Sequence, residues 1–161
     1  MKNFSNLSAE QVEKIALQLN HLLAEYHLHY QKMRNFHWNV YGEQFFQLHA
    51  QFEAQYNRAK IQIDEIAERI LTLQRRPVSN FSDYLYMATI AEEKETLRPR
   101  DMVEATLRDF DILIDRMNQV IKTADQANDS GTADMVTAFL KDMQKSHWMF
   151  RAYMREPILA S

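Results

Sequence analysis

From Leu7 onward, apolar residues recur in steps of three and four: Val12, Ile15, Ala16, Leu19, Leu22, Leu23, Tyr26, Tyr30 and Met33. That spacing is the helical period and predicts a first long helix, with Ser8 and Gln11 placed as a capping box at its start. Gly42, in Asn39-Val40-Tyr41-Gly42, marks a turn. A second helical pattern follows in Phe45, Leu48, Phe52, Ala59, Ile63, Ile66, Ile70 and Leu73, and stops at Arg75-Arg76-Pro77. Residues 78–100 are polar, with a small helical piece around Ser82 to Met87. A third long pattern runs from Asp101, with Glu104 as its capping partner, to about Ala127. Its apolar face is Val103, Leu107, Phe110, Ile114, Met117 and Ile121. The Asn128-Asp129-Ser130-Gly131 turn leads to Thr132, a candidate cap for a fourth helix that bears Met135, Phe139, Met143 and Phe150 and ends before Pro157.

Four helices of about 25 residues are each about 37 Å long. Two close turns and one long connection between the second and third fit a four-helix bundle with a crossover, the ferritin-like arrangement among bundles. A bundle closed by short loops throughout is the competing architecture. No repeat or linker interrupts the 161 residues, so residues 1–161 are expected to form a single domain with one core.

Composition narrows the chemistry. Two glycines and three prolines are too few for an all-β chain built on tight turns. The absence of cysteine excludes disulfides, thiolate nucleophiles and Cys-ligated metal. No apolar run approaches the roughly 20 residues that span a bilayer, and MKNFSNLSAE lacks the order of a signal peptide. A cytoplasmic, membrane-free protein is expected. The net charge of −3 does not call for nucleic acid.

Six histidines and 22 acidic residues supply many possible ligands. Neither Glu-x-x-His nor His-Glu-x-x-His occurs, which argues against an intrabundle di-iron site and a zincin. Gly-rich phosphate loops and Gly-x-Ser-x-Gly elbows are also missing. What remains is His37, His49, Glu53, Asp64 and Glu68. His49 and Glu53 share one helix face, as do Asp64 and Glu68, and together they form an N,O set suited to divalent iron or zinc. His49 and Asp64, however, stand about 22 Å apart along one helix. If two second helices cross antiparallel about a two-fold axis near Tyr56–Asn57, residue 49 of one chain lies opposite residue 64 of the other, giving two identical sites. The alternative is that these are solvated charges on an exposed face.

Asn35-Phe36-His37-Trp38-Asn39-Val40-Tyr41-Gly42, then Phe45-Phe46-x-Leu48-His49, then Asp64-Glu65-Ile66-Ala67-Glu68-Arg69-Ile70 resembles the Dps family of mini-ferritins. Thr132-Ala133-Asp134 and Trp148 resemble that family's last helix, so the likeness spans about residues 8–155. It implies an all-α, ferritin-like four-helix bundle with a short helix in the crossover between helices two and three, and a hollow homo-oligomer of twelve chains. It further implies a ferroxidase that oxidises Fe(II), preferably with hydrogen peroxide, and stores the ferric mineral for protection against oxidative stress. The iron ligands, at a mononuclear or two-iron site with no organic cofactor, would be His37 and His49 from one chain and Asp64 and Glu68 from another. Glu53 stands at the family's further acidic position. A DNA-compacting protective shell, with possible nucleoid association, is the alternative role.

Trp38 reads either as packing or, by the resemblance, as a redox-active neighbour of the iron. His21, His27, His29 and His147 read as surface or packing residues, and the nine methionines as mostly core. Asp125, Asp129 and Asp134 surround the last turn. Asp134 is favoured by the helix dipole, and the resemblance places this region at cation-drawing pores. Arg75-Arg76 and Arg98-x-Arg100 read as helix-end charges and ion pairs. With only Lys2 before the first helix and Arg155 after the last, DNA binding is expected to be weak.

Overall fold

A computed structural model describes residues 6–155, all helix and connection with no strand among them. The chain runs α1 (Ala9–Asn39), α2 (Phe45–Thr72), α3 (Phe81–Met87), α4 (Pro99–Ala127) and α5 (Ser130–Met154). Four long helices form the bundle, and α3 lies in the crossover between α2 and α4, as the pattern predicts. The stretches around Lys2 and Pro157 lie outside the described residues.

Each boundary has a local cause. Ser8 and Gln11 form the reciprocal capping box at the start of α1, at 2.8 and 3.2 Å. Gly42 sits at φ 92°, a backbone region that strongly favours glycine, and this allows α2 to double back beside α1. Two expected caps are corrected. α4 begins at Pro99, not Asp101, because proline's fixed φ and missing N–H suit the first helical position. Asp101 lies in the first turn and binds the Arg98 guanidinium through both carboxylate oxygens, at 2.7 and 3.1 Å. α5 is capped by Asp129, not Thr132. The Asp129 carboxylate accepts from the Thr132 N–H at 3.2 Å and from its hydroxyl at 2.5 Å.

The core is apolar, with Ile15, Leu19, Leu22, Tyr26, Met33, Phe36, Phe52, Ile66, Ile70, Phe110, Leu113 and Met117 fully buried. The α4 stripe is rotated slightly from the expected face: Leu107, Ile114 and Ile121 are half-buried, while Met102, Leu113 and Val120 are buried. α1 packs against α2, α3 and α4, and α4 against α5. Long side chains bridge α2 to α5. Arg58 donates to the Ser146 hydroxyl at 2.6 Å, and Arg69 donates to Thr132 at 2.9 Å and to Asp129 at 2.6 Å. Gly131 makes room for this bridge, since a Cβ there would meet the Arg69 guanidinium at 3.0 Å.

Two buried charged sets tie α1 to the second half of the chain. The Glu25 carboxylate, wholly buried, accepts the Thr89 and Ile90 backbone N–H groups and an Arg116 N–H, pinning the crossover to α1 and α4. Asp109, also buried, accepts from Lys32 at 2.6 Å and lies 3.2 Å from His29 Nδ1. His29 is thus a packing residue with a carboxylate partner that sequence spacing did not reveal. His27 stacks on Tyr84 of α3 at 3.9 Å, and burial pushes its imidazole down to about 4.

Two outcomes are expected. Asp109→Asn leaves Lys32 buried without its counter-charge and should cost about 3–5 kcal/mol in urea unfolding at fixed protein concentration. Pairing Lys32→Met with Asp109→Leu should recover most of that loss. Unfolded His27 takes a proton near its ordinary value of 6.5, whereas the folded ring resists protonation until about 4. The stability it contributes is complete above pH 6.5 and is lost as pH falls toward 4. Urea midpoints should therefore fall less between about pH 7 and pH 4.5 in His27→Phe than in the parent.

Candidate metal centre

The turn between α1 and α2 brings His37 and His49 together. Their rings stack at 3.7 Å between centroids and 20° between planes. His37 Nδ1–H donates to the His49 carbonyl at 2.8 Å, and His49 Nδ1–H donates to the His37 carbonyl at 2.7 Å. A carbonyl only accepts, so each Nδ1 must carry the proton. In the neutral form each ring then presents its Nε2 lone pair for a metal, and the backbone fixes the tautomer as an outer-shell partner would. His37 is buried and His49 half-buried, with Phe45 stacked on its other side at 4.8 Å.

Glu53 follows one turn beyond His49 and is exposed. One further turn on stands Tyr56, edge-on to His37 at 5.3 Å and to Tyr30 at 6.2 Å. Desolvation and then the Glu53 charge hold the Tyr56 phenol above its ordinary value. Tyr56 was not singled out in the sequence, although residues 49, 53, 56 and 60 form one helical stripe.

Asp64 and Glu68 are exposed farther along α2. The helix is continuous from Phe45 to Thr72, so they stand about 22 and 29 Å along its axis from His49. Among the described residues, no three His, Asp or Glu side chains of one chain gather as a metal set. The structure thus brings His37 and His49 together beside Glu53, and leaves Asp64 and Glu68 at a distance. Those two belong to a second exposed stripe, Asn57, Ile61, Asp64, Glu68 and Leu71, in which large aliphatic side chains flank the acids.

Trp38 is 58% exposed, with the Arg34 guanidinium 4.7 Å over its ring, so it does not pack in the protomer core. His147 lies 3.1 Å from the Asp111 carboxylate on the surface of α4 and α5. Asp125 and Asp134 are exposed at the two sides of the last turn. Asp129 is buried and engaged by Arg69 and Thr132, a structural cap with no free carboxylate face. Three of the four clustered arginines are engaged within the chain: Arg75 with Glu13 at 2.8 Å, Arg98 with Asp101, and Arg100 with Glu104 at 3.8 Å, while Arg76 is exposed. No helix among the described residues is long and apolar enough to cross a membrane.

Comparison with known proteins agrees with this architecture. Residues 16–157 match the ferritin-like domain family. A Haemophilus influenzae protein is 37% identical over 151 residues, covering 94% of each chain. The DNA protection during starvation protein 2 of Bacillus anthracis is 34% identical over 138 residues, covering 86% of this chain and 94% of its own. Among solved structures, the Dps protein of Vibrio cholerae O1 superposes with a TM-score of 0.90 at 37% identity, covering 92% of this chain and 94% of that one. That protein is described as a member of the broad superfamily of ferritin-like diiron-carboxylate proteins. With its crossover helix, its paired histidines and relatives of this similarity along nearly its whole length, the chain belongs to the Dps family of ferritin-like proteins.

Proposed function

We propose that this protein is a ferroxidase and iron store whose sites form between two copies of the chain. The observation that carries this reading is the reciprocal His37–His49 pair, which leaves two Nε2 atoms uncommitted in a protomer that gathers no third His, Asp or Glu beside them among its described residues. A second copy supplies them. Two α2 helices crossing antiparallel near Tyr56–Asn57 set the partner's Asp64 and Glu68 beside His49, and two-fold symmetry repeats the site. The Ile61 and Leu71 side chains that bracket the acids would then be covered by the partner, as would exposed aromatics such as Trp38. Phe81, Leu85 and Tyr86 of α3 add an exposed apolar face consistent with a larger homo-oligomer, and the family likeness favours a shell of twelve.

Imidazole and carboxylate ligands hold Fe(II) while leaving positions open to an oxidant, and the carboxylates favour the harder Fe(III) product. Hydrogen peroxide is the preferred oxidant in this reading. One peroxide takes an electron from each of two ferrous ions and, with two protons, leaves as two waters, so no hydroxyl radical is released. His37, His49, Asp64 and Glu68 hold the iron, and Glu53 adds a ligand on the His49 side. Trp38, next to His37 in the chain, is the indole that intercepts a stray radical in this reading. Ferric product is kept within the shell, and Asp134 and Asp125 draw cations through its pores. Asp129 is left out of that role because its carboxylate is engaged. DNA protection by direct binding is the weaker reading, since Arg75, Arg98 and Arg100 are ion-paired and the chain is acidic.

Asp64→Ala with Glu68→Ala removes the anionic half of the site, and exposed carboxylates add little to stability. The shell should assemble, yet peroxide-driven Fe(II) oxidation should slow beyond the roughly 100-fold that losing a supporting contact costs. His49→Ala should slow it too. Shells reassembled from a mixture of the two defective chains contain some interfaces with all ligands intact, so activity should partly return. Verified mixed shells that stay inactive would refute the shared site. In gel shifts at physiological salt, duplex DNA should not be retarded; a strong shift that weakens steeply with salt would show a basic patch created by assembly.

A further inference from the structure

The register that sets residue 49 against residue 64 also sets residue 53 against residue 60. Glu53 and Lys60 are both exposed, and neither forms an ion pair within the described protomer. Lys60 has an acid one turn on, Asp64, but a cation placed N-terminal to its acid is the weaker order on a helix, and the pair is not made. Seven residues of helix separate Glu53 from Lys60, about 10 Å, so they cannot meet within one chain. Glu53 lies one helical turn before Tyr56, beside the axis at Tyr56–Asn57. Arg34, the cation near Tyr56, lies over the Tyr30 and Trp38 rings instead.

Assembly without metal creates an electrostatic problem. Glu53 of one chain meets the partner's Asp64 and Glu68, so three carboxylates converge on two neutral imidazoles. A cation is needed there before iron arrives, and the side chain facing Glu53 across the axis is the Lys60 ammonium. We propose that the partner's Lys60 pairs with Glu53 in the metal-free shell and must be displaced when a metal ion uses that carboxylate. Lys60 thus determines how the site fills. The first ion enters among His37, His49 and the partner's Asp64 and Glu68, and a second ion, on the Glu53 side, competes with an ammonium and binds more weakly. This inference rests on the shared-site reading.

A zero-length carbodiimide reaction tests the contact directly in the intact, metal-free shell. It joins a carboxylate to an amine only where they touch, so a 53–60 link that holds two chains together reports the contact across the axis. The expected result is a covalent dimer with that link identified by mass spectrometry, absent in Lys60→Gln and suppressed by prior saturation with Co(II). Co(II) shares the charge and N,O preference of Fe(II) and serves as the probe in a parallel calorimetric titration. Lys60→Gln should tighten the weaker of two binding events about tenfold and leave the stronger unchanged. If Co(II) binding is lost in His49→Ala but no 53–60 link forms in shells of the correct size, the Lys60 proposal is overturned and the shared site stands. Co(II) binding indifferent to His49→Ala overturns the shared site, and the proposal with it.

Discussion

Two hydrogen bonds running in opposite directions between His37 and His49 close the first turn of the bundle, and the rest of the site depends on them. They are formed by side chains at the end of α1 and the start of α2, so they fasten the antiparallel pair at the point where Gly42 lets the chain reverse. The same bonds dictate protonation. Each Nδ1 is committed to a carbonyl, which leaves the Nε2 atoms as the only ring acceptors. A fold contact and a ligand preorganisation are here one interaction, and no further outer-shell carboxylate is needed to orient either ring.

The second constraint is the stiffness of α2. Its 28 residues hold the histidine end and the acidic end about 22 Å apart, a gap that side-chain flexibility cannot close. Among the described residues the bundle interior gathers no alternative metal set. Its buried charges are already balanced, Asp109 by Lys32 beside His29, and Glu25 by Arg116 and two backbone amides. The proposed metal chemistry therefore falls on the surface of the bundle, where another copy of the same helix would complete it.

How much of this could be read from sequence depended on how local each signal was. The α1 capping box, the Gly42 turn and the existence of all five helices follow from spacings of a few residues, and they stand as expected. The starts of α4 and α5 did not, because two start signals lay within one turn of each other. Pro99 and Asp129 prevailed over Asp101 and Thr132, Pro99 through its fixed backbone angle and Asp129 through its ion pair with Arg69, sixty residues away. The His29–Asp109 pair is eighty residues apart in sequence and has no local mark. The His37–His49 pairing was legible from the motif, whereas its mutual hydrogen bonding was not, since it requires the exact reversal of the chain at Gly42. Tyr56 lay on a visible stripe but carried no ligand chemistry that would have singled it out.

The central claim is that one metal ion is held by side chains of two chains. It is tested most directly by the crystal structure of the assembled shell loaded with Co(II), with the ion located by its anomalous scattering. The expected result is an ion about 2.0–2.2 Å from a histidine Nε2 of one chain and from Asp64 or Glu68 oxygen of its two-fold mate. An ion whose protein ligands all come from a single chain, or one bound away from His37 and His49, would contradict the account.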